Sequence, residues 1–243
     1  MTGSSNFYGF IFLLLYYIIA AGIISLFDYL TDYRREWIRK SYHIIYSFSL
    51  LLILYIFSDW YIAVLVLVGI SLAAVIILNL SVKLVPGLKQ LSISRKSSIK
   101  EVIRQMIYLH STFVVLILIF QYLGEQYIFH AVVGVMVWGF GDSAAALVGK
   151  FIGKREYDDI IFPSGKTLEG SLGFMGASYF PAFLVLIFLG GYNLIQAFIT
   201  AALIVAFASL VEALSRKGLD TITIPLFAAL FSVLAQRLYL YLI

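Results

Sequence analysis

The sequence predicts an all-α fold: a polytopic transmembrane helix bundle of about eight spans, with both termini on the non-cytoplasmic side. Three observations carry this. Apolar residues fill 62% of the 243 positions and charged ones 12%, where about a quarter is usual. The mean hydropathy is +0.99. The apolar residues gather into runs of about 20, the length needed to cross a hydrocarbon layer about 30 Å thick. Backbone polar groups find no water there, so the runs must be helices; a barrel would read as alternating strands of about ten residues. The same composition excludes a disordered chain, a collagen and an ordinary soluble globule. Cys is absent, which excludes disulfides, thiolate metal sites and cysteine nucleophiles.

Taken in order, span 1 covers 7–27. No basic stretch precedes it, so a cleaved signal peptide is not expected. Arg34, Arg35, Arg39 and Lys40 follow it. Span 2, at 43–58, is short and borrows length from Tyr42 and His43. Span 3 covers 60–80. The loop 81–104 then carries Lys83, Lys89, Arg95, Lys96, Lys100 and Arg104 among Ser92, Ser94, Ser97 and Ser98. It reads as an interfacial amphipathic segment in contact with anionic membrane lipids. Spans 4 and 5 cover 105–123 and 126–149, and Lys150, Lys154, Arg155 and Lys166 follow. Spans 6 and 7 cover 171–190 and 193–214, and Arg216 and Lys217 follow. Span 8 covers 222–243 and contains Arg237. Sixteen of the 17 basic residues thus fall on one side, which the positive-inside rule makes cytoplasmic. That placement accounts for the net charge of +4 without a nucleic-acid partner. No internal repeat is visible, and 1–243 reads as a single integral membrane domain.

Against this background a few polar residues stand out, in two stretches, 139–171 and 209–225. Asp142 lies inside span 5, in Trp138-Gly-Phe-Gly-Asp-Ser-Ala-Ala-Ala-Leu-Val-Gly149. A carboxylate there costs about 2.5–3.5 kcal/mol on insertion scales, so it should face a polar cavity or a cation. Gly141, Ala145, Gly149 and Gly153 recur every fourth residue and would let another helix approach closely. Asp142, Ala146 and Lys150 form the adjacent stripe. After the span comes Pro163-Ser-Gly-Lys-Thr-Leu-Glu-Gly-Ser171. Thr167 is the expected N-cap of the next helix, and Ser164, Gly165 and Lys166 beside that positive helix end make a phosphate cradle. It is not a Walker A loop, because Ile160, Ile161 and Phe162 stand where that motif's first glycine is required. Glu169 closes this element and complements the helix N-terminus.

In the second stretch Ser209, Glu212 and Arg216 share a helical face, Gly218 reads as a C-cap, and Asp220 and Pro225 follow. Glu212 and Arg216 could simply be an i,i+4 pair. Asp142, Glu212 and Asp220 beside a phosphate cradle suit Mg²⁺, which binds through one or two carboxylates plus substrate phosphates. Near the start of span 2, Arg39 and His43 face together. His110 and His130 read as packing or interfacial residues; His130 lies roughly 18 Å from Asp142 along a helix.

The elements Gly141-Asp-Ser-Ala-Ala-Ala-Leu-Val-Gly-Lys-Phe-Ile-Gly-Lys154, Ser164-Gly-Lys-Thr-Leu-Glu-Gly-Ser171, Glu212-Ala-Leu-Ser and Gly218-Leu-Asp-Thr-Ile-Thr-Ile-Pro225 together resemble the dolichol kinase and phytol kinase family, which includes CTP-dependent diacylglycerol kinases. Arg39-Lys40-x-x-His43 is similar to the family's early element. The resemblance runs from about residue 36 to 230. It extends distantly to phosphatidate cytidylyltransferases. Their terminal Pro-Gly-His-Gly-Gly run is absent, which favours phosphoryl over nucleotidyl transfer. Thr221 stands where the kinases usually carry Asn.

The resemblance implies a CTP-dependent kinase for the hydroxyl of a lipid alcohol: polyprenol, dolichol, phytol or diacylglycerol. It makes Asp142, Lys166, Glu169 and Asp220 the candidate catalytic residues. Lys166, Ser164, Gly165, Thr167, Lys150, Arg39 and His43 would hold the phosphates of CTP or another nucleoside triphosphate. Asp142, Glu212 and Asp220 would hold Mg²⁺. The competing expectations are a CDP-lipid-forming cytidylyltransferase and an ion-coupled transporter built around Asp142. A transporter would call for coupled polar sites at mid-membrane, whereas these clusters share the cytoplasmic level.

Overall fold

A computed structural model describes residues 2–30, 35–84, 99–158, 161–216 and 218–242. Among them are eight long helices: α1 (Thr2–Leu30), α2 (Arg35–Ile56), α3 (Trp60–Leu84), α4 (Ile99–Leu123), α5 (Phe129–Phe151), α6 (Leu168–Phe188), α7 (Leu194–Leu214) and α8 (Asp220–Leu242). Each expected span falls on one of them. The expected interfacial segment lies largely outside the described residues.

Seven of these helices are long and apolar enough to cross a membrane, and the chain is an integral membrane protein. The eighth, α2, carries four charges in its first six residues, Arg35 to Lys40. Helix and apolar run therefore do not share a start: α2 begins eight residues before the expected span, and α4 begins six before its own. Arg and Lys are good helix formers, so the helices continue past the point where hydropathy falls.

The centre of the bundle is α5, which is buried over most of its length and packs on α6, α8 and α2. Its glycines explain how three helices approach it. A side chain at Gly134 would run into Pro225 and Ala229 of α8. One at Gly139 would meet Ser47 of α2 at 2.6 Å, and one at Gly141 the ring of Phe174 of α6, also at 2.6 Å. Farther along the expected small-residue stripe, Gly149 faces Thr167 and Gly170 of α6. Away from Asp142, His130 is fully buried and bonded through Nδ1 to Ser232 Oγ (2.5 Å) and through Nε2 to Gln236 Oε1 (2.9 Å), both on α8. It is a packing residue, as expected. His110 is likewise buried, against Ser71 of α3 (2.8 Å).

Two local readings need correction. Helix α7 ends at Leu214 with Ser215 as its cap, so Gly218 (φ +92°) serves the turn into α8 instead. Helix α8 starts at Asp220, so Pro225 sits in its second turn rather than its first. A proline has no N–H to give to the carbonyl four residues back. That carbonyl belongs to Thr221, and Thr112 Oγ1 of α4 lies 3.4 Å from it.

Candidate active site

The polar residues of five separate segments meet at one end of α5. Asp142 is the centre. Its side chain is 5% exposed, and its Oδ2 accepts from Lys40 Nζ at 2.5 Å and lies 2.8 Å from His43 Nδ1. Lys40 itself is 3% exposed. Helical spacing puts Lys40, His43 and Ser47 on one face of α2, and Gly139 lets that face lie against α5. The ring of His43 stacks on Trp138, with centroids 4.9 Å apart. The Ser143 hydroxyl stands 3.1 Å from the Lys40 carbonyl and 2.5 Å from that of Gly139, so backbone as well as side chains join the two helices.

The segment 152–167 between α5 and α6 folds back on itself. Glu156 and Thr167 form an isolated antiparallel bridge. The Tyr157 amide donates to the Lys166 carbonyl (3.0 Å), and the Leu168 amide to that of Arg155 (3.0 Å). Gly165 makes the turn at φ +81°, where a side chain would be strained. Thr167 caps α6 as expected, its Oγ1 accepting the Gly170 amide at 3.0 Å. Glu169 Oε2 accepts the amides of Lys154 and Arg155 (3.1 and 3.2 Å). That carboxylate is therefore occupied in fastening the hairpin to α6.

Lys166 leaves this hairpin to form an ion pair with Glu212 of α7. Glu212 is buried and its neighbour Ser209 bonds to the Ser171 carbonyl of α6 (3.2 Å). The alternative of a simple Glu212–Arg216 pair is not what forms. Arg216 lies beyond the end of α7 and is exposed, which leaves the buried acid to the lysine that reaches it. Asp220 opens α8 and accepts the Thr221 amide (2.9 Å). It lies within electrostatic range of Asp142, Lys40, His43 and Lys166, and Glu212 within range of both Asp142 and Asp220.

The chain thus brings Asp142, His43, Lys166, Glu212 and Asp220 into one neighbourhood. Ser164, Gly165 and Lys150 are exposed at its edge, and Arg39 is exposed on a different face of α2 from Lys40. The functional residue missed from sequence is Lys40. Among four basic residues between two spans it reads as one more topology determinant; its signal was the i,i+3 spacing to His43 along the face that continues to Ser47.

Three carboxylates and no thiolate form a hard-oxygen donor set, which fits Mg²⁺ or another hard divalent cation. Among the described residues no three His, Asp or Glu side chains are close enough to cage a metal by themselves. Mg²⁺ sites commonly borrow the remaining ligands from substrate phosphates and water.

No protein-family profile matches the chain, and no solved structure matches it. One curated protein does: the phytol kinase of Synechocystis sp. is 34% identical over 110 residues, 45% of this chain and 46% of that relative. The match thus covers about half the length of the relative. Over that stretch the chain is similar to that phytol kinase.

Proposed function

We propose that this protein is a membrane-embedded kinase that transfers the γ-phosphoryl group of a nucleoside triphosphate, CTP in our reading, to the hydroxyl of a long-chain lipid alcohol. The observation that carries it is the meeting of a buried lysine–carboxylate pair, Lys40–Asp142, and a part-buried one, Lys166–Glu212, with Asp220, contributed by four helices and a glycine-turned hairpin. Similarity to a named phytol kinase supports the same reading.

Phosphoryl transfer is mostly positioning and neutralisation of charge. Lys166, with Ser164 and Gly165, binds the triphosphate at the N-terminal end of α6, where Thr167 has already taken one free amide and the rest complement an anion. Lys150 adds positive potential at the rim, whereas Arg39 points to a different face of α2. Asp142 and Asp220, with Glu212 once Lys166 turns to phosphate, are the residues that would hold Mg²⁺. When bound, that ion would neutralise triphosphate charge. A carboxylate of this set, Asp142 in our assignment, orients the lipid hydroxyl and takes its proton. The hydroxyl oxygen bonds to the γ-phosphorus as the bond to the β-γ bridging oxygen breaks, and nucleoside diphosphate leaves. The tail of the lipid lies among the apolar helices, with its hydroxyl at the cytoplasmic level.

The test is to incubate purified protein with each γ-labelled nucleotide and a panel of phytol, polyprenol and diacylglycerol. Label in the lipid together with nucleoside diphosphate supports the reading. Release of pyrophosphate with a lipid phosphate as acceptor would instead identify a cytidylyltransferase, and no turnover of any lipid alcohol would defeat the kinase reading.

A further inference from the structure

The Lys40–Asp142 pair is unusual for its depth. Both side chains are withdrawn from surroundings, at 3% and 5% exposure, although a lysine stem is long enough to snorkel. A buried ion pair is seldom more stable than apolar residues of the same volume, so stability alone gives no reason to keep it. The neighbourhood supplies one. Asp142 and Glu212 are each held by a lysine, while Asp220 makes no ion pair among the described residues. Two of the three acids that would meet a cation are thus paired with lysines that could meet phosphate.

We infer that Lys40 is a placeholder: it holds Asp142 while the site is empty and passes to a phosphate of the nucleotide on binding, releasing Asp142 to the divalent cation. This rests on the kinase reading above. His43 makes the exchange orderly. It sits on the same Oδ2 and is fixed by its stack on Trp138, so the carboxylate keeps its place when the ammonium leaves. The consequence is positive coupling: cation and nucleotide each bind poorly alone and well together. By linkage the coupling is reciprocal.

The experiment uses the full chain in detergent micelles. Mn²⁺ binding is measured by electron paramagnetic resonance without nucleotide, and CTP binding by calorimetry in EDTA. Lys40→Gln is expected to tighten Mn²⁺ at least about fivefold and to weaken metal-free CTP by a similar factor, the lower end of ordinary coupling between sites. Asp142→Asn is expected to do the reverse, tightening metal-free CTP at least about fivefold while weakening Mn²⁺. A residue that merely supports the fold would weaken both ligands in both variants, and that result, or no change, overturns the proposal. Should Lys40→Gln fail to fold, Asp142→Asn decides alone: metal-free CTP bound no tighter than by wild type sinks it. The manganese arm needs no nucleotide. A chain that phosphorylates nothing yet shows the Lys40→Gln gain in Mn²⁺ loses the kinase reading and keeps the exchange.

Discussion

Replacing Asp142 by Asn keeps the size of the side chain and leaves an oxygen for Lys40, but removes the charge. Asp142→Asn is therefore expected to fold, judged by its elution and thermal melting in detergent, and to lose turnover by about a hundredfold or more, the scale of a lost acid–base group. Full activity would remove Asp142 from the chemistry. Lys166→Ala should raise the nucleotide KM far more than Lys96→Ala in the basic loop; equal effects in steady-state assays would return Lys166 to the topology class. Glu169→Gln has a different expectation. It loosens the hairpin held by the Lys154 and Arg155 amides, so it should lower thermal stability more than it lowers kcat. The legible residues were those whose chemistry contradicts their setting: an aspartate inside an apolar helix, and a Ser-Gly-Lys-Thr run opening another. Lys40 escaped because a lysine beside Arg39 contradicts nothing. The spacing to His43 and Ser47 puts it on their face of α2, but only the packing of that face on Gly139 turns the lysine inward.

At the scale of elements, the positions of the helices were readable because lipid leaves the backbone no alternative. Their starts were less so, since charged helix formers extend α2 and α4 beyond the apolar runs. Which helices touch was legible only in part. The stripe through Gly141 and Gly149 announces a close neighbour without naming α6, whose Phe174 and Gly170 fill the space. A methyl group at Gly141 would sit 2.6 Å from the Phe174 ring. Gly141→Ala is thus expected to cost about 1–3 kcal/mol, the usual range for an overfilled core, read as a lowered melting temperature. Gly176→Ala in α6 meets nothing within 4 Å and should melt at or above the wild-type temperature.

Over the whole molecule, the placement of sixteen of 17 basic residues on one side is the strongest long-range signal in the chain. It makes a direct expectation. Because native cysteine is absent, Ser164→Cys and Ser58→Cys can each carry the only thiol. A membrane-impermeant maleimide should label them from opposite faces of sealed vesicles, with Ser164 on the cytoplasmic face. Labelling of both from one face would undo the topology. The same view sets a boundary on how the protein can work. Helix α5 is tethered to α8 through His130 toward one end and to α2 through Asp142 toward the other. A rod fastened at both ends is poorly placed to piston or roll, so rearrangement at the site has to come from side chains such as Lys40 and Lys166 swinging, while the acid itself stays put as a stationary wall.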